Sequence, residues 1–156
     1  MYYRRSGKVA VNSSAGEENK RQLCELVEAG TVPGLVGYLD SRPVGWISLG
    51  PRVDYQKLAR SPIMKPVDDA EVWSIVCTYV LKGERGKGLQ HQLVHGAIDY
   101  AREQGVRTLE AYPVDKAERS HDDFMFFGAR SLYEEAGFTE VVRRSATRVV
   151  MRKELA

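Results

Sequence analysis

A near-continuous apolar run, Val72–Leu81, leads into Lys82-Gly83-Glu84-Arg85-Gly86-Lys87-Gly88, and an amphipathic helical pattern starts at Leu89. The apolar run reads as a central strand buried on both faces. Glycines let the backbone turn tightly with no side chain in the way. A helix start presents unpaired amide N–H groups and the positive end of its dipole. Strand, glycine turn and helix N-terminus together make a site for phosphate or pyrophosphate. Arg85 and Lys87 add charge that suits an anionic ligand. A bare strand-to-helix turn needs one or two glycines, so three within this short stretch favour a ligand. Two common phosphate motifs fail on a required residue. A P-loop needs Ser or Thr after its Lys, and Lys87 is followed by Gly88; a dinucleotide fingerprint from Gly86 would put its third glycine at His91.

The helix after the turn spans Leu89–Gln104, with Leu89, Leu93, Ala97 and Ala101 on one stripe and Val94 and Ile98 widening it. Gly105 stops it, and Thr108–Tyr112 reads as a strand cut off by Pro113. A strand joined to the previous one through a helix pairs with it in parallel. Upstream, residues 1–5 read as a short first strand. Ser14 and Glu17 have capping-box spacing for a helix over Ala15–Ala29. Leu35–Leu39 and Val44–Leu49 form a hairpin across Asp40-Ser41-Arg42-Pro43. A long connection from Pro51 to Asp69 holds a helical turn around Tyr55–Ala59. Downstream come a polar loop at Asp115–Asp123, a helix over Ala129–Ala136 stopped by Gly137, and strands Phe138–Arg143 and Thr147–Met151 turning at Arg144–Ala146. The fold class is α/β: a mixed, mostly antiparallel sheet with helices on both faces.

The chain's 156 residues suit a single domain with a real core, and 43% apolar with 28% charged residues excludes disorder. A net charge of +2 does not argue for nucleic acid. The basic residues Arg143, Arg144, Arg148, Arg152 and Lys153 alternate with apolar ones and read as a solvated strand face. Cys24 and Cys77 fall in apolar patterns and read as buried, reduced thiols. The N-terminal stretch lacks a signal peptide's apolar run, and no run approaches membrane-spanning length, so the expected compartment is the cytoplasm.

The stretch around the turn resembles the acyl-CoA signature of the GNAT-type N-acetyltransferases: Gln or Arg, two residues, Gly, one residue, Gly or Ala, with a Val five residues before the Arg. Arg85, Gly88 and Val80 match it; Gln90 stands where Gly or Ala is usual. Leu132-Tyr133-Glu134-Glu135-Ala136-Gly137-Phe138 is similar to that family's later helix, and the spacing between the motifs fits. The resemblance covers roughly Val44 to Phe138. It implies the GNAT fold, in which two parallel central strands splay apart and the pantetheine arm lies in the gap. It also implies acetyl-CoA as co-substrate, no metal, and a small-molecule or peptide amine acceptor attacked directly in a ternary complex. No nucleic-acid or membrane partner is implied, and the sequence leaves a homodimer open.

Carried onto this chain, the cofactor-binding residues are Thr78, Tyr79, Val80, Arg85, Gly86, Lys87, Gly88, Leu89 and Gln90. The Tyr79 and Val80 backbone pairs with pantetheine amides, and the amides from Arg85 to Gln90 hold the pyrophosphate. The Gln90 side chain must then point away from the phosphates. Tyr133 is the candidate general acid for the leaving thiolate; from spacing alone it reads as a core aromatic. Many relatives carry Asn where Phe126 stands. The usual base position holds Ser74, and Glu71 has the wrong strand parity. Glu110 on the other central strand is the remaining candidate, with a salt-bridged strand Glu as the alternative. Asp68, Asp69 and Glu71 could attract a cationic amine or simply be solvated. His91 and His95, beside Asp99, read as surface histidines, His121 as a loop residue, and Trp46 and Trp73 as core. Acceptor specificity falls to Pro51–Asp69 and Asp115–Phe127. A non-catalytic acyl-CoA-binding module on the same fold is the rival reading.

Overall fold

A computed structural model of the protein describes residues 2–4, 15–116 and 126–155. The described elements are α1 (Ala15–Glu28), β1 (Gly34–Leu39), β2 (Arg42–Pro51), α2 (Gln56–Ala59), β3 (Trp73–Val80), α3 (Leu89–Glu103), β4 (Thr108–Ala111), α4 (Arg130–Glu135), β5 (Thr139–Ser145) and β6 (Arg148–Glu154). Six strands form one sheet in the order β1-β2-β3-β4-β6-β5. Among the described strands, β3 and β4 alone pair in parallel. That is the strand–helix–strand crossover which the apolar run and its helix require.

The β1–β2 hairpin closes with two residues rather than four: Asp40 (φ 46°) and Ser41 (φ 65°) both lie in the left-handed region. Two such residues match the twist of the flanking strands. Arg42 and Pro43 therefore belong to β2.

Apolar side chains alternate to two cores. Ile75, Leu109, Ala111 and Met151 meet Val94, Ala97 and Ile98 of α3 and Leu132 and Tyr133 of α4. On the other face Val76, Tyr112, Phe127 and Val150 meet Tyr55 and Leu58 beside α2. A register shift opposite Ser48 and Leu49 leaves Val76 without a β2 partner. Such a bulge bends a strand and disrupts its ladder locally. It falls where the β3–β4 pairing stops, after Ile75↔Ala111.

Three further expectations are corrected. Tyr2–Arg4 form a 3-10 turn, not a strand. Arg4 donates to Asp54 at 3.0 Å and to the Tyr55 hydroxyl at 3.1 Å, and Tyr3 packs edge-on against Phe127, contacts an extended edge would forgo. Met1, Arg5 and Ser14, and with Ser14 the capping box, lie outside the described residues. Cys24 is exposed and Cys77 half-buried; on α1, Leu23 and Leu26 are half-buried while Cys24 and Val27 face solvent. Arg144, Arg148 and Arg152 are half-buried rather than part of a solvated face, while Arg143 is exposed. Arg152 holds Glu110 and Asp68, Arg148 donates to the Tyr112 carbonyl at 2.8 Å, and Arg144 donates to the carbonyls of Ile63, Lys65 and Pro66.

Candidate active site

Past Ile75 and Ala111 the two parallel strands part. On its β2 side β3 stays paired as far as Val80↔Gly45, but on its β4 side the pairing register ends at Ile75. On that side the backbone groups of Val76–Val80 have no strand partner among the described residues, and Arg85 takes the Val80 carbonyl; buried backbone groups require partners. An extended ligand with its own amides can supply them.

At the end of this open edge the chain makes a 3-10 turn over Lys82–Glu84 and then the glycine turn. Gly86 (φ 79°) and Gly88 (φ 73°) are left-handed, and Gly88 is the N-cap of α3 without a capping side chain. An added Cβ on Gly88 would meet nothing within 4 Å. The first-turn amides of α3 thus have no side-chain cap and are available to a ligand. Arg85 donates from Nε to the Val80 carbonyl at 3.0 Å, fixing the turn against the strand end.

A cavity of about 380 Å³ follows this path. All of the sequence-expected cofactor residues except Lys87 line it, joined by Glu84, His91 and Phe126. Lys87 points its Nζ to Glu84 at 2.8 Å. Gln90 turns away from the glycine turn and donates to Thr78 Oγ1 at 2.6 Å. Thr78 in turn reaches the Phe126 carbonyl at 3.4 Å. His91 is bonded to Glu135 of α4 at 2.7 Å, tying the two helices. Asp99 bonds Arg102 rather than either histidine, and His95 is exposed.

Tyr133 is fully buried, edge-on to Phe138 at 5.3 Å, and its hydroxyl has no hydrogen-bond partner among the described residues. Burial, with a smaller contribution from the nearby Cys77, pushes its pKa above the ordinary tyrosine value. The hydroxyl therefore keeps its proton at neutral pH. Burial also raises the Cys77 thiol, so the nucleophilic thiolate is disfavoured.

Neither Tyr133 nor Cys77 lines the cavity, and Glu110 lies away from it too, on the other face of the sheet from Tyr133. It is wholly buried on the face that carries Tyr112. Its Oε1 accepts from Arg52 at 3.2 Å and Tyr112 at 2.7 Å, and its Oε2 from Arg152 at 2.7 Å. Ser74, at the family's base position, bonds the Tyr112 hydroxyl at 2.8 Å. The geometry is that of a salt-bridged strand Glu. Asp68 is likewise committed: Arg152 holds it at 2.7 and 2.8 Å, and these bonds, with the Ala70 amide, lower its carboxyl to about 2. Asp68, Asp69 and Glu71 line a second groove of about 1160 Å³, shared with Trp73 and Thr108 at the other end of the parallel strands. Trp46 and Trp73 are half-buried. His121 lies outside the described residues. Among those residues, no group of three or more His, Cys, Asp or Glu is placed to hold a metal, and no helix is long and apolar enough to cross a membrane.

A sequence model of the acetyltransferase (GNAT) family matches residues 8–138. No curated protein matches the chain by sequence. Among solved structures, an acetyltransferase assigned to the GNAT family from Desulfovibrio desulfuricans superposes with a TM-score of 0.60 at 18% identity, over 93% of this chain and 84% of that one. Ribosomal-protein-alanine N-acetyltransferase from Brucella melitensis gives 0.55 at 22%, over 89% and 78%. The PaiA N-acetyltransferase of Thermoplasma acidophilum, solved with coenzyme A, gives 0.56 at 15%, over 90% and 72%. At these identities the superpositions speak for the fold.

Proposed function

Because this chain belongs to the GNAT acetyltransferase family, whose members transfer acetyl groups from acetyl-CoA, we propose that it acetylates a primary amine by direct attack in a ternary complex. The observation that carries the reading is the open backbone edge of Val76–Val80 running straight into the glycine turn. An acyl-CoA has the two features this path asks for: an amide-bearing arm for the open edge, and a pyrophosphate for the amides from Arg85 to Gln90.

The acceptor nitrogen attacks the thioester carbonyl carbon, the carbon–sulfur bond breaks, and the departing thiolate takes the Tyr133 proton. The proton lost by the amine goes to solvent, from which Tyr133 is reprotonated. The buried hydroxyl, without a partner among the described residues, supports the acid role, since a donor costs free energy until it meets an acceptor. Cys77, held as a thiol, offers no acyl carrier, which favours direct attack. Glu110, with both oxygens committed, serves as an anchor, and the amine arrives neutral or passes its proton to water.

Initial rates with acetyl-CoA and an accepted amine both varied test this reading. The amine is first found by following CoA release across a panel. Intersecting double-reciprocal lines are expected. Parallel lines would indicate an acyl-enzyme, and CoA binding without release for any amine would support the non-catalytic module.

A further inference from the structure

An acidic side chain stands in a place shaped for anions. Glu84 is buried and lines the cavity beside Arg85 and the glycine turn. Its carboxylate accepts from Lys87 at 2.8 Å and from the guanidinium of Arg42, 42 residues away in the chain. Arg42 is the first residue of β2, at the tip of the hairpin. The tip is registered on the loop by the backbone: Gly45 pairs with Val80, and the Leu81 amide donates to the Val44 carbonyl at 2.9 Å. Glu84, itself on the cavity wall, therefore holds two cations that do not line the cavity, instead of opposing a ligand with a free charge. The side chain of Arg42 stays 61% exposed. A guanidinium carries five N–H donors in a fixed fork, so one carboxylate leaves donors for a second anion.

The amides of the turn suit a pyrophosphate. A phosphomonoester carries more charge on fewer atoms and calls for a guanidinium. We propose that Arg42, positioned by Glu84, binds the 3′-phosphate of coenzyme A. The inference rests on the reading of the glycine turn as the CoA site. It adds a cofactor contact from the hairpin tip, a part of the chain outside the strand–turn–helix motif.

Titration calorimetry with CoA and with 3′-dephospho-CoA tests it. The parent should prefer CoA by about tenfold, the worth of one charge-assisted contact. Arg42→Ala should lose that preference through weaker CoA binding, with dephospho-CoA affinity unchanged. Glu84→Gln should lose part of it. Arg42→Lys, which keeps the charge and any packing of the stem, should fall between parent and Arg42→Ala, and it carries the test if Arg42→Ala does not fold. Equal affinity of the parent for both ligands, or a loss shared equally by both ligands in the Arg42 variants, overturns the inference and leaves Arg42 a hairpin anchor. Failure of the parent to bind either ligand would instead strike the reading of the turn itself, and the inference with it.

Discussion

The two ends of the central strand β3 are built on opposite principles. At its N-terminal end the charges are closed on one another. Glu110 is held by Arg52 and Arg152, and Asp68 by Arg152, and Tyr112 and Ser74 complete the chain of bonds. At its C-terminal end the backbone loses its β4 partner after Ile75, two glycines take left-handed conformations, and Glu84 holds two cations. A buried charge costs free energy unless paired, so a closed network is a scaffold. A helix start without a capping side chain, beside an unpaired strand edge, has bonding capacity left for a ligand. Charge alone does not mark a site; unspent capacity does. By that measure the larger groove near Asp68 is the weaker candidate, although acidic residues line it.

Mutations at each end sharpen the contrast. Tyr133→Phe should lower kcat by about 10²–10⁴, the usual worth of general acid catalysis. Because the hydroxyl has no partner among the described residues, its removal should leave melting temperature unchanged or raised. Turnover within about twofold of the parent would remove Tyr133 from the mechanism. Gly88→Asp sets a carboxylate against the bound pyrophosphate. Like-charge juxtaposition costs several kcal/mol, so calorimetry should show CoA affinity falling by more than about a hundredfold. Unchanged affinity would refute the assignment of the turn.

Glu110→Gln should behave in the reverse way. Removing one partner of a buried ion pair typically costs about 3 kcal/mol or more, read in denaturant unfolding, while CoA affinity should stay within about twofold, since Glu110 does not line the cavity. A stable variant with collapsed turnover would restore Glu110 as a candidate base. The smallest effect belongs to Gln90→Ala. Its side chain bonds Thr78 rather than facing the turn, and alanine is the better helix former. CoA affinity should match the parent or rise slightly; a tenfold drop would make the glutamine a positive contact.

The strand, the glycine turn and helix α3 were legible in the sequence because each depends on local pattern: an apolar run, glycine, and helical spacing. The hairpin was legible too, but its turn was drawn two residues too long, since Asp40 and Ser41 take left-handed conformations that usually call for Gly or Asn. What could not be read is what pairs across the fold. The alternation of Arg148 and Arg152 with apolar residues is the same for a solvated face as for one buried against Phe127 and Glu110. Only the neighbouring strands decide between them. Likewise Glu84 reads as a loop acid until β2 brings Arg42 to it. The available signal was weak: an acid inside an anion-binding motif wants a partner, and the motif itself offers only Lys87 nearby.

On the proposed function, the C-terminal end of β3 and its glycine turn hold the cofactor, while the N-terminal end is scaffold. Amide hydrogen exchange of the protein with and without CoA tests that division directly. Slowed exchange on CoA binding is expected in peptides covering Val76–Val80 and Arg85–Gln90, with no change around Arg52, Asp68 and Thr108. Protection concentrated around Arg52, Asp68 and Thr108, with Val76–Gln90 unaffected, would contradict it.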